Sequence, residues 1–529
     1  MSISQDSRAA QNSPAPKPSS ASAVEAKFSR AYGAQLLWRD LKLKNRLAIL
    51  SNVRELLVRD RLMLAQSIQS PSRQNYAETI SAELMPLADS IRWLSRRARS
   101  ILKTRYTQRR HTPLWLGLIE SSILRVPHGL VLIIGAGNYP LYLTGVQALQ
   151  ALAAGNAVAL KPAPGAELVT ERFVDLLIEA GVPRELCVLL DSSVEAAQEA
   201  IEAGVDKVIL TGSSRSGRNV LKKLADSLTP ATMELSGCDA MYVLPGADMH
   251  RVCDTIAFTL RLNGGASCLA PRRVFVPQKT YEVFHRLLSQ RLTSESQRSW
   301  RTQIPSFVFQ KLQSGVKEAT QLGARVFESP HAHIALTTSS STQSAVTAAP
   351  ANSERVDSVS IGHLVLTDMK PTMSLCSADI FAPLIMIIPV ADWAEALQFD
   401  SMCPYALTAS VYGPLEDALR MTKFISAGSI TINDALVPTA DPQLPFGGRG
   451  ESGFGVTRGD EGLLSMTVPK VITIRRGRWL PHLQPPSPAD ESLLDGLLQF
   501  NHSGSLLKQL LGLKQTIQAA MASRKKPQN

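Results

Sequence analysis

From residue 24 to about 102, apolar positions recur at three- and four-residue spacing among Arg, Lys and Glu, with few glycines. That period predicts a helical entry segment, broken at Ser70-Pro71-Ser72. Beyond Pro127 the period changes. Short apolar runs at 130–134, 157–160, 187–190 and 208–210 alternate with helix-like stretches near 140–153, 166–180 and 193–203. Strands apolar on both faces, alternating with helices, predict an open parallel sheet with right-handed crossovers. A second alternation begins near Ala240 and continues through 274–276, a helix at 281–292, and runs at 364–366 and 384–390. The fold class read from this pattern is α/β, with two open lobes.

Other segments break the alternation. Residues 111–127, with Pro113 and Pro127 around LWLGLIESSILRV, predict a strand pair projecting from the body, and MTVPKVITIRR (466–476) also has strand character. Residues 1–23 lack an apolar core and read as a flexible tail. Residues 329–358 are rich in Ser, Thr and Ala and read as a mobile surface insertion, with His331 and His333 solvated and not metal-bound. No metal site is expected. From 481 to 529 a Pro-rich link leads to Leu-rich amphipathic text ending in Arg524, Lys525 and Lys526. Docking on the body or self-association is favoured for it over a membrane surface. Between Arg125 and Lys161 no Asp, Glu, Lys or Arg occurs. Yet Gly135, Asn138, Pro140, Gln147, Gln150 and Asn156 interrupt the stretch, so it reads as two strands around a buried helix and not as a membrane span.

Composition narrows the classes. A chain of 529 residues with 44% hydrophobic content has material for several cores, about two to four domains at roughly 100–200 residues each. Six cysteines without a C-x-x-C pair exclude a disulfide framework or structural zinc site and point to a reducing, cytoplasmic home. The net charge of +11 is partly local: eight basic residues and no acid lie between Ile91 and Arg110, and four more between Lys470 and Arg478. These read as solvated faces or interface edges, and no nucleic-acid partner is expected.

Several residues carry chemistry. Cys268, in RLNGGASCLAPRR, follows small residues that let a ligand approach, and the adjacent Arg272 and Arg273 would favour its thiolate. An inert buried thiol is the competing reading. Glu234 ends an apolar run beside glycine, where a strand delivers a carboxylate to the ligand-binding edge of an open sheet; a purely structural glutamate fits equally. Asn138, just past a strand and before Pro140, is placed to donate to an oxyanion or to cap a helix. The stretch 209–217, ILTGSSRSG, sets strand, glycine, serines and helix in the order that offers N–H groups to a pyrophosphate. Lys161 closes a buried strand, where it meets ribose hydroxyls or reaches solvent.

Taken together, the segments GAGNYP (135–140), AGNAVALKP (154–162), LTGSSRSG (210–217), ELSGC (234–238), GASC (265–268), DIFAP (379–383) and PFGGRGESGFG (445–455) resemble, in order and spacing, the aldehyde dehydrogenase superfamily. The resemblance runs from about residue 30 to 475. It implies two Rossmann-like α/β domains, cofactor-binding over 24–237 and catalytic over 238–455, plus a small β oligomerisation element joining 109–127 to 456–480. It implies an NAD- or NADP-dependent oxidation of an aldehyde to a carboxylic acid. In that reading Cys268 is the nucleophile, Glu234 the general base and Asn138 the oxyanion donor. Lys161, Gly212, Ser213, Gly217, Asp379 and Phe381 are implied to hold the cofactor, and a homodimer or homotetramer is implied. The alternatives are an acylating or reductive relative, and a binding or structural protein that kept the fold but little activity.

The chain also departs from the family pattern. Asp379 stands where glutamate is usual and is one methylene shorter. Pro164 stands where many NAD-preferring members carry an acid, which leaves NADP open. Ser236 and Cys238 alter the glutamate block, while Gly137 and Ala266 replace bulkier residues beside the oxyanion asparagine and the nucleophile. The last two changes predict a wide aldehyde channel. Aromatic aldehydes should therefore show higher kcat/KM than short aliphatic ones; equal values for the two classes would count against a widened channel.

Overall fold

The computed structural model describes residues 20–68, 70, 73, 75–108, 111–113, 116, 119–293, 300–327, 358–476, 483, 485 and 487–524. Most of the expected tail and, apart from Ser358, the Ser/Thr-rich insertion with His331 and His333 lie outside the described residues. The first helix, Ser20–Asp40, starts inside the stretch read as tail. Two compact units are present: one formed by residues up to Ile101 and from Pro127 to Val468, the other by residues 102–126 and 469 onward.

The first unit holds two open sheets of a mixed α/β fold. Their strands are β1 (Leu130–Ile134), β2 (Ala157–Lys161), β3 (Cys187–Leu189), β4 (Lys207–Gly212), β5 (Ala231–Leu235), β6 (Asp239–Val243), β7 (Pro271–Pro277), β8 (Arg325–Val326), β9 (Leu364–Thr367), β10 (Leu384–Val390), β11 (Thr408–Tyr412), β12 (Ser429–Ile432) and β13 (Gly453–Phe454). The six-stranded sheet runs β13-β5-β4-β1-β2-β3. It is parallel except for β13, which returns antiparallel to β5 with Gly453 opposite Glu234. The seven-stranded sheet runs β8-β9-β10-β7-β6-β11-β12, parallel except for β8. Successive residues of its strands feed opposite cores: Ala240 and Tyr242 join one apolar cluster, Met241 and Val243 the other. This is the two-residue alternation of a strand buried on both faces.

The uncharged stretch before Lys161 is explained by helix Pro140–Ala154, all of whose residues are buried. Proline at its first turn and Gly155 at φ +100° just past its end set its limits. Its last carbonyls are met by the entry helices: Trp38 Nε1 donates to Leu152 O at 2.8 Å, Arg46 Nε to Ala153 O at 3.2 Å and Gln35 Nε2 to Gly155 O at 2.8 Å. Arg46 Nη1 also donates to Trp38, Arg39 and Leu41 carbonyls at 3.2, 2.9 and 2.8 Å, so one buried guanidinium satisfies two helix ends. No helix among the described residues is long and apolar enough to cross a membrane.

In the second unit, the described residues of 111–127 contribute one strand and not a pair. Strand Ile119–Pro127 lies between Arg105–Tyr106 and Thr467–Arg475 in a three-stranded sheet, with Ser121 and Thr473 hydroxyls 3.0 Å apart. Its distant partner falls in the 456–480 region to which the family resemblance joined this segment. Two further helices, Pro488–His502 and Leu506–Arg524, pack on each other.

Arg73 and Glu83 form a buried ion pair at 2.8 Å with both side chains nearly sealed from water, and Glu83 Oε2 accepts from Tyr142 N at 2.6 Å. Glu83→Ala would leave a buried guanidinium without its counter-charge, so urea denaturation should show a loss of about 3–5 kcal/mol. A change below about 1 kcal/mol would mean that water reaches Arg73.

Candidate active site

In the first sheet, strand order reverses between β1 and β4, where both neighbouring crossovers leave a crevice at the strands' carboxyl ends. Asn138 lies in the turn that leaves β1. Its Nδ2 donates to Ala266 O at 3.2 Å, and its Oδ1 accepts from Tyr139 N at 3.1 Å. The helix that follows has Tyr139 at its cap without a side-chain bond, so the capping role open to Asn138 is not the one seen. The Asn138 carbonyl is held by Arg73 Nη2 at 2.7 Å and Asn263 Nδ2 at 3.0 Å.

Asn263 also binds Ala266 O at 3.2 Å, and its own backbone N–H donates to Glu78. Asn263, Gly264 and Gly265 all have positive φ, and a Cβ at Gly265 would stand 2.5 Å from Ala382 O. This left-handed run turns the chain so that Cys268 meets the Asn138 loop through Ala266. Sequence reading singled out Asn138 and Cys268. It missed Asn263, Arg73 and Glu78, which hold them together, because nothing local marks such long-range contacts.

Glu234 sits near the end of β5 and is 2% exposed. Burial pushes its carboxyl up, opposed by the Arg458 guanidinium and a hydrogen bond from Thr211. Its Oε2 has no hydrogen-bond partner among the described residues. Cys268 is half-buried. Burial pushes its thiol well above the usual range, and the Glu234 and Asp239 carboxyls push in the same direction against Arg458. Asp239 is itself raised to about 7 by burial.

Burial outweighs the positive potential expected at the thiol. Arg272 lies within electrostatic reach of Cys268, and its Nη1 donates to Ala382 O at 2.6 Å. Arg273 donates to Cys238 O at 2.8 Å and pairs with Asp400 at 2.7 Å. Arg458 is a further cation that bears on Cys268 and Glu234. It is buried at φ +61°, donates to Thr439 O at 2.5 Å and Tyr142 Oη at 3.0 Å, and stacks 4.5 Å from the Phe446 ring. Its place just past the PFGG block offered no signal in sequence.

Around the crevice, Lys161 closes β2 and is 6% exposed, so it does not reach into solvent. Burial lowers its ammonium pKa, against Asp191, Glu167 and Glu195. Gly212 ends β4, and Ser213 caps helix Ser214–Leu224 by accepting from Ser216 N at 3.2 Å. Gly217 packs on β5: a Cβ there would stand 2.8 Å from Leu235 Cδ1. Asp379 and Phe381 are half-buried in the loop before β10. Burial raises the Asp379 carboxyl, opposed by a hydrogen bond to Ser236 and by Lys311 and Arg272, and its Oδ1 has no partner among the described residues. Ser236 also donates to Gly212 O at 3.4 Å, so this departure from the glutamate block links Asp379 to the end of β4.

A sequence model of the aldehyde dehydrogenase family matches residues 15–472. The chain belongs to that family. Among curated aldehyde-metabolising proteins it is similar to a 4,4'-diapolycopene aldehyde oxidase from Methylomonas sp, 28% identical over 470 residues that cover 87% of this chain and 84% of the relative. The same fold occurs in an NADP-dependent enzyme from E. coli, with TM-score 0.74 at 22% identity over 86% of this chain and 90% of that one. It occurs also in an aldehyde dehydrogenase from Mycobacterium tuberculosis complexed with NAD+, with TM-score 0.72 at 22% identity over 87% and 92%. For an aldehyde dehydrogenase family member, the upward push of Glu234 on the Cys268 thiol has a direct check. Glu234→Gln removes a carboxylate that raises the Cys268 pKa. The pH midpoint of iodoacetamide labelling at Cys268, followed by mass spectrometry, should fall. An unchanged midpoint would show that the two groups do not communicate.

Proposed function

We propose that this chain oxidises an aldehyde to a carboxylic acid, with NAD or NADP as acceptor, through a covalent intermediate on Cys268. One observation carries the reading: Asn138 is tied through Ala266 to the loop of a thiol on which the buried Glu234 carboxyl acts, its Oε2 without a partner among the described residues. Residues for a dinucleotide fit as well. The N-terminus of helix Ser214–Leu224, with Gly212 and Ser213, suits a pyrophosphate; the buried Lys161 ammonium and the unpartnered Asp379 Oδ1 suit ribose hydroxyls; Phe381 lines the nicotinamide side. Gly217 lets that helix close on Leu235, which keeps its N-terminus at the end of β4.

Cys268 loses its proton and its sulfur bonds the aldehyde carbon, converting the carbonyl oxygen to an alkoxide. The Cys268 backbone N–H and the Asn138 amide donate to that oxygen. A dinucleotide held by Lys161, Gly212, Ser213, Asp379 and Phe381 would supply the hydride acceptor; once hydride has left this carbon, the acyl group stays on Cys268 as a thioester. Glu234 then takes a proton from water, the water oxygen bonds the acyl carbon, and the carbon–sulfur bond breaks to release the acid. A carboxyl whose pKa is raised by burial is a stronger base for that proton transfer than an exposed glutamate.

In this reading the β1–β5 sheet belongs to the cofactor domain and the β6–β12 sheet to the catalytic one. Strand Thr467–Arg475, exposed along nearly its whole length, is the edge through which a homodimer or homotetramer forms.

The test is formation of NADH or NADPH with short aliphatic, aromatic and long apolar aldehydes, the last because one relative is a 4,4'-diapolycopene aldehyde oxidase. Turnover should vanish in Cys268→Ala and rise with pH as the thiol ionises. Glu234→Gln should give one burst of reduced cofactor and then steady turnover slower by roughly 10²–10⁴-fold. Steady turnover that instead requires an added acyl-accepting thiol would replace hydrolysis with acyl transfer.

A further inference from the structure

Cys238, one of the residues that alter the glutamate block, has no part in the chemistry described above. It packs instead with two other cysteines. Cys238 and Cys376 are sealed in one apolar cluster of the seven-stranded sheet, and the half-buried Cys403 packs against the same cluster. Cys403 Sγ lies 3.9 Å from Cys238 O, and a side-chain hydrogen bond joins the two thiols. Cys238 Sγ also reaches the Cys376 carbonyl at 3.5 Å, but the Cys376 sulfur is turned to Lys370 O at 3.3 Å.

One guanidinium holds both cysteine backbones. Arg273 Nε donates to Cys238 O at 2.8 Å and its Nη2 pairs with Asp400 Oδ1 at 2.7 Å, while Asp400 O accepts from Cys403 N at 2.9 Å. The arrangement makes the sulfurs unequal. The Cys238 hydrogen bond pulls the Cys403 thiol down to about 7, helped by Arg273 and the Tyr405 backbone N–H against burial and Asp400. The same bond, with burial, pushes Cys238 up. Burial alone carries the distant Cys187 to about 12, the ordinary state of an inert core thiol. A half-buried thiolate beside a protonated thiol is an attacking sulfur beside a resolving one.

Cys238 also ends the three residues that join β5 to β6. A Cβ on its neighbour Gly237 would stand 2.7 Å from Cys268 O, so a pull on Cys238 moves the Cys268 peptide. We propose that Cys238 and Cys403 are a redox pair that a hydroperoxide closes into a disulfide, and that this crosslink slows aldehyde turnover by drawing Gly237 off Cys268. The slowing rests on Cys268 as the reacting thiol; the crosslink does not. In the first step the Cys403 thiolate bonds one peroxide oxygen and the O–O bond breaks. The other oxygen leaves with the proton that Cys403 lost, and Cys403 becomes a sulfenic acid. Cys238 then gives up its proton as its sulfur bonds that of Cys403, and the S–O bond breaks to release water. Two thiols are oxidised by two electrons and one peroxide is reduced.

The experiment treats the purified, reduced full chain with hydrogen peroxide, alkylates the free thiols and maps peptides by mass spectrometry, with aldehyde turnover measured in parallel. A linked Cys238–Cys403 peptide should appear as turnover falls by roughly tenfold or more, and dithiothreitol should reverse both. Cys403→Ser, as active as the wild type before treatment, should show neither the link nor the reversible fall. Both cysteines still alkylated after Cys268 has been oxidised, or a link through Cys376, overturns the pair. An equal fall in Cys403→Ser, or a link that leaves turnover unchanged, overturns the slowing. If the untreated chain turns over no aldehyde, the role of Cys268 and the slowing fail together, while the peptide map still decides the pair.

Discussion

Three residues, Ser236, Gly237 and Cys238, are all the chain allows between the last residue of β5 and the first of β6. That short passage fixes how closely the two sheets of the first unit approach. It places Glu234 at one end, Asp239 at the other, and the Cys268 peptide against its middle, where a Cβ on Gly237 would stand 2.7 Å from Cys268 O. Ser452 closes the passage by donating to Ser236 O at 2.9 Å while its own carbonyl accepts from Leu235 N at 3.1 Å. Any side chain at Gly237 would push the Cys268 peptide away from the carboxyl, so geometry and electrostatics depend on the same three residues.

The passage also helps to push the Cys268 thiol up. Carboxyls at both of its ends bear on that half-buried thiol, and Arg458 opposes them. The other arginines nearby are spent on structure. Arg272 and Arg273 satisfy carbonyls that strand ends leave behind, as Arg46 does for two helix ends far from the site. A buried guanidinium is here mostly a hydrogen-bond donor, while Arg458 also bears on the Cys268 sulfur. Such a division follows from desolvation: a cation committed to several carbonyls has its field largely compensated locally.

Much of the frame was legible from residue pattern alone. The strand at 130–134 and the helix at 281–292 were read at the bounds observed, because burial on both faces and a 3.6-residue period leave clear marks in sequence. The Asn138 turn and the loop that carries Cys268, both singled out in sequence, meet at Ala266 O. The joining of 109–127 to 456–480 also stands, in the pairing of Ile119–Pro127 with Thr467–Arg475. What sequence did not carry was side-chain contact over distance: Asn263 braces Asn138, and Arg458 bears on Glu234 from beyond the PFGG block. Nor did it carry burial, which outweighs the nearby arginines at the Cys268 thiol.

The return of β13 to β5 has a consequence for how the protein is made. Gly453 pairs with Glu234, so the edge of the first sheet stays open while the whole second sheet is synthesised. A nascent chain therefore carries the strand that bears Glu234, paired on one side only, while residues 236–452 are made. Exposed edges of this kind recruit other strands, and contacts that close so late in sequence form slowly. The ribosome-bound chain is thus most exposed to misassociation at the strand that carries Glu234, and completion of the site coincides with the protection of that edge.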